Sequence, residues 1–122
     1  MTTQAKLMGM GASAGLAGQV AGDITTAITA AGSTQGTATA IFSDVNVVST
    51  TAASTGVILP SNRSAGDTVE VFNLGASSLS VYPPTGGNIN TGAANAAFAV
   101  ASTKGAVFRQ VSATQWTAIL GA

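Results

Sequence analysis

The chain has 122 residues, the size of one domain. Only eight are charged, four of each sign, which is 7% against about 25% in an ordinary soluble domain; no basic patch offers footing for nucleic acid. With no histidine and no cysteine, the chain lacks the commonest general base, the thiol nucleophile, disulfides and two of the usual metal ligands.

Residues 1–22 differ from the rest. They hold all three methionines, Met1, Met8 and Met10, and five glycines, with Lys6 as their one charge. The apolar stretch from Leu7 to Gly22 is too short and too glycine-rich for a membrane span, and Gln19 interrupts it. Lys6 ahead of Ala12-Ser13-Ala14 has the form of a secretory leader, which stays open as an alternative. Gly9-Met10-Gly11-Ala12-Ser13-Ala14 matches the spacing of a dinucleotide-binding turn, but no strand of useful length precedes it. The expected role is an arm, residues 1–22, joined to a β domain over 23–122. Glycine at this density opposes a helix by about 1 kcal/mol per residue relative to alanine. Small residues let an arm lie close to another backbone, and methionine fills irregular apolar gaps. Contacts to a neighbouring subunit are therefore expected from Leu7, Met8, Met10 and Leu16, with packing on its own domain as the alternative.

From Ile24 onward the apolar period is two. Ile24 to Ile28 predicts a first strand, with a stop at Gly32. Thr37 to Phe42 predicts a second, with Ala38, Ala40 and Phe42 on one face. Asp44-Val45-Asn46-Val47 alternates, and Val57-Ile58-Leu59 is a short buried run closed by Pro60. Thr68 to Val71 and Ser78 to Val81 predict a hairpin across Asn73-Leu74-Gly75-Ala76-Ser77, with Gly75 free to take a positive φ. Pro83-Pro84-Thr85-Gly86-Gly87 ends it. Ala97–Ala101, Ala106–Val111 and Gln115–Leu120 complete the set, the last two joined by Ser112-Ala113-Thr114. A helix over Gly92–Ala101 ranks second, because Gly92 and Asn95 interrupt it. Eight or nine short strands with a turn roughly every ten residues predict an all-β fold: a small sandwich, jelly roll or barrel.

Each of the six aromatics, Phe42, Phe72, Tyr82, Phe98, Phe108 and Trp116, falls on a predicted strand or directly at its end. Phe72 and Tyr82 sit in the opposite phase to Val69/Val71 and Leu79/Val81. They are expected on the far face of their sheet, where inter-subunit contacts would cover them. No catalytic set emerges from the carboxylates. Asp67 and Glu70 are three apart on a strand and project to opposite faces. Asp44 and Asn46 share a face but offer two oxygens where Ca²⁺ needs six to eight. Arg63 and Asp67 are expected to close a loop. An enzyme is not expected, and neither is a cofactor or a bound metal.

Taken together, Gly56-Val57-Ile58-Leu59-Pro60, the run from Ala65 to Asn73, Leu79-Ser80-Val81-Tyr82-Pro83 and Ser112-Ala113-Thr114-Gln115-Trp116 resemble small virion proteins of tailed bacteriophages. Within that group the chain is similar to capsid decoration, or cement, proteins. The resemblance implies a homotrimer on the outer capsid, in contact with the major capsid protein and made in the bacterial host cytoplasm. It carries no catalytic residue. A head-fibre, tail or baseplate subunit is the alternative, followed by a carbohydrate-binding module and a secreted layer protein. The composition independently favours assembly, because so little charge leaves little to keep copies apart.

Overall fold

The computed structural model describes residues 23–121, so the arm residues Leu7, Met8, Met10 and Leu16 lie outside the described part. The described chain is all-β, with ten strands in two sheets. In chain order they are β1 (Ile24–Thr29), β2 (Thr39–Ala40), β3 (Val45–Thr50), β4 (Gly56–Ile58), β5 (Thr68–Asn73) and β6 (Leu79–Tyr82). The last four are β7 (Asn88–Ile89), β8 (Phe98–Val100), β9 (Gly105–Gln110) and β10 (Gln115–Leu120). Among the described residues the sole helical element is a single 3-10 turn, Gln35–Thr37.

The first six strands alternate between the sheets, so the chain winds as a coil. β1, β3 and β5 lie side by side and parallel in the larger sheet, and β2, β4 and β6 do the same in the smaller one. Ile24 lies beside Val45, and Val45 beside Glu70, so one turn of the coil takes 21 residues and the next 25. The last strands then close the coil antiparallel. β8 adds to β6, β9 to β5 and β10 to β9, while β7 runs parallel along the far edge of β10. The larger sheet is ordered β1-β3-β5-β9-β10-β7 and the smaller β2-β4-β6-β8. The all-β class predicted from the turn spacing, given there as a small sandwich, jelly roll or barrel, takes the form of a solenoid-like arrangement of two sheets.

The core lies between the layers. β5 turns Val69 and Val71 inward, β6 Leu79 and Val81, and β9 Ala106 and Phe108. Val48, Val57, Val100 and Trp116 complete it. Phe108 meets Phe98 edge to face, with ring centres 5.7 Å apart and planes at 87°, a favoured aromatic geometry. The strand pattern holds because strict alternation buries one phase of each strand.

Three expectations are corrected. β5 and β6 do not pair as a hairpin but face each other from opposite sheets. Both carry apolar residues in the inward phase, and packing them across the core buries both sets at once. Gly75 does not take a positive φ; it is a glycine because a Cβ there would lie 2.4–2.6 Å from Thr51. Finally, Thr37–Phe42 is not one continuous strand. β2 is only two residues long, Ile41 is buried and Phe42 is 72% exposed.

The link between β5 and β6 is held by Asn73, which is fully buried. Its Nδ2 donates to the carbonyls of Ser77 (2.8 Å) and Val100 (2.9 Å). Its Oδ1 accepts from Thr51 Oγ1 (2.7 Å) and the Gly75 amide (3.0 Å). Two donors and two acceptors are thus all used. The link joins the second coil turn through Thr51, the sheet switch through Gly75 and Ser77, and the closing strand β8 through Val100. Asn73→Ala leaves several buried polar groups without partners, at about 1–3 kcal/mol each. Its expected cost is at least about 3 kcal/mol of unfolding free energy, read from the urea midpoint of the purified protein.

Candidate interaction surface

The larger sheet covers the core with one face and turns the other outward. Strand registers align the outward residues in rows. Ile24, Val45, Glu70, Val107 and Ile119 form one row across β1, β3, β5, β9 and β10. Val47, Phe72 and Gly105 form the next, and Thr68, Arg109 and Thr117 a third. Apolar side chains dominate the first two rows. Ile24 and Ile119 stand out, at 67% and 75% exposed, and Leu74, just past the end of β5, is 62% exposed.

Phe72 owes its position to Gly105. A Cβ at Gly105 would lie 2.4 Å from Cδ1 of Phe72, so the ring lies across the bare glycine of the neighbouring strand. Aromatic cover over a strand glycine restores contact where a side chain is missing. Beside it opens a cleft of about 370 Å³ lined by Phe72, Leu74, Lys104, Val107, Ile119 and Gly121.

The charges on this face are few. Glu70 lies in the first row and Arg109 in the third, one strand over, while Lys104 borders the cleft. Arg109 Nη1 donates to the Gly66 carbonyl at 3.3 Å. Among the described residues the one ion pair lies elsewhere, between Arg63 and Asp44 at 2.5 Å. That pair corrects a further expectation: Arg63 does not close a loop with Asp67. It reaches Asp44 and the Phe42 carbonyl (2.7 Å), and the Asp67 carboxylate accepts the Ser64 amide at 3.0 Å. Asp67 is therefore held by the local turn, leaving Arg63 free to span to the start of β3.

Phe72 and Tyr82, expected together on one outer face, lie on the outer faces of different sheets. The smaller sheet turns Ala40, Ile58 and Tyr82 outward in one row and Gly56, Ser80 and Ala99 in the next. Tyr82 is half-buried there. Its ring crosses Gly56, where a Cβ would lie 2.9 Å from Cε2, and its hydroxyl donates to the Ser33 carbonyl at 3.1 Å. Tyr82 thus ties down the loop before β2 within its own chain, whereas Phe72 is 39% exposed beside an open cleft.

Leu74, Val107 and Ile119 were not among the expected contact residues. The signal for two of them is present in the alternation: Val107 and Ile119 are apolar in the phase opposite to Phe108 and Trp116. Among the described residues no group of three or more acidic side chains is placed to hold a metal ion, and no helix is long and apolar enough to cross a membrane.

Gly105→Ala is expected to lift the Phe72 ring and lower the unfolding free energy by about 1 kcal/mol. The same change in a Phe72→Ala background should cost little. A double-mutant cycle by urea denaturation checks this, with a coupling of at least about 0.5 kcal/mol expected. No protein-family model matches the chain, and neither the curated proteins nor the solved structures contain a significant match to it.

Proposed function

We propose that this protein is a non-enzymatic structural subunit that works by packing into a larger assembly, with the outer face of the larger sheet as its packing surface. The observation that carries this reading is the row from Ile24 to Ile119, where four of five aligned positions are aliphatic on a face turned away from the core. Contiguous exposed apolar surface on a small domain marks an interaction site. The sparse charge of the whole chain supports the same reading.

The assembly we propose is a tailed-phage virion, and the role that of a decoration protein bound to the outer capsid. The resemblance of the strand and turn segments supports it. Attachment then rests on apolar burial, at about 25 cal/mol per Å².

Such binding depends little on salt. Screening tightens from a Debye length of about 8 Å at physiological ionic strength to about 3 Å at 1 M, but few charges lie on the surface in question. Cosedimentation with virions that carry the protein is the test. Occupancy should hold within about twofold between 0.1 M and 1 M NaCl, and moderate guanidinium should strip the protein off. Release by NaCl alone would overturn the packing account, and imaging of the virion with no density on the outer capsid would overturn the decoration role.

A further inference from the structure

The outer face of the larger sheet carries opposite charges that do not neutralise each other within the chain. Glu70 and Arg109 are diagonal neighbours on β5 and β9, yet among the described residues neither forms an ion pair. Between and beside them lie Val107 and Ile119, paired directly across β9 and β10. Solvated charges flanking an apolar strip are the features of a self-complementary patch, in which residue i meets j and j meets i across a two-fold axis.

We infer that the partner on this face is a second copy of the same chain, packed face to face across a two-fold axis that runs between Glu70 and Arg109. On the strand lattice, such an axis sets Glu70 of each copy against Arg109 of the other. It also lays Val107 and Ile119 against their own counterparts. The apolar contact supplies the affinity. The two ion pairs set the register, since exposed pairs add little affinity of their own.

The size of the face agrees with a reversible dimer. Five strands about 4.8 Å apart, over about 20 Å of strand, offer about 500 Å² per copy. The total, about 1,000 Å², lies at the lower limit for a specific interface. A face of this size suits a dimer that forms reversibly, as the first step of assembly rather than as an obligate unit. This inference rests on the packing role proposed above for the same face.

Sedimentation of the full chain tests it through a charge exchange. Wild-type protein should show a monomer–dimer equilibrium. Ile119→Glu should raise the dissociation constant at least about 30-fold, because both copies lose the contact. Glu70→Lys and Arg109→Glu should each weaken association about three- to tenfold by setting like charges together. An equimolar mixture of those two variants should recover wild-type affinity, since each mixed pair is again complementary. Unchanged urea midpoints would show that the variants fold.

A chain that stays monomeric, or a mixture no tighter than its components, overturns the inference. So does a trimer indifferent to these substitutions. Cosedimentation with virions separates this from failure of the packing role. If Ile119→Glu abolishes virion binding by a monomeric protein, the face packs on a foreign partner and only the second-copy inference falls. If Ile119→Glu changes neither association nor virion binding, the packing role itself falls.

Discussion

One corner ties together the coil, the switch between sheets and the closing strands: the point where the chain leaves the larger sheet after β5 and enters the smaller one at β6. Asn73 occupies it with all four amide hydrogen bonds made and no exposure to solvent. Parallel strands from a coiled chain have no tight turn to set their register, so something must fix where each turn of the coil switches layers. A buried amide suits this work, because any slip leaves its donors and acceptors unpaired at a high cost. Thr51 ties the previous turn to the same amide, and the close approach of Thr51 to Gly75 keeps the corner tight.

With the layers set, the alternation of each strand decides what faces out. Inward positions carry valine, leucine, phenylalanine and tryptophan, as a thin two-layer core requires. On the larger sheet four of the five outward positions in the row from Ile24 to Ile119 are aliphatic as well, and this departs from the usual half-polar pattern of an exposed sheet face. A face of this kind left open promotes association. The edge strand β1 is managed differently: its pairing with β3 is broken by an irregularity around Ala27, which sits at φ 58°. Bulges of this sort twist an edge away from further strand pairing. This edge of the larger sheet is thus irregular, while its outer face stays open.

The two aromatic–glycine contacts show how local sequence serves different ends. Phe72 over Gly105 and Tyr82 over Gly56 use the same device, a ring covering a bare strand position. Tyr82 then spends its hydroxyl on Ser33, joining the loop before β2 to the smaller sheet. Phe72 has no polar end to satisfy, and its exposed edge remains part of the cleft. Both were legible as residues out of phase with the core; which of them stayed open was not, since that depends on a loop 49 positions away in sequence.

The all-β class, most strand positions and the inward phases of β5 and β6 were determined by the sequence alone, because side chains alternate across a strand whatever it pairs with. The same holds for the absence of histidine and cysteine chemistry and for the shortage of charge. Pairing was decided only in three dimensions. Thr68–Val71 and Ser78–Val81 satisfy a hairpin and a sheet switch equally well by local pattern. In the fold the link carries Asn73, whose partners at Thr51 and Val100 lie 22 and 27 positions away. The row from Ile24 to Ile119 likewise exists only through register, since its five residues come from five strands spread over most of the described chain. Alternation is a property of one strand, whereas a surface is a property of several, and their alignment is set by contacts that no local window contains.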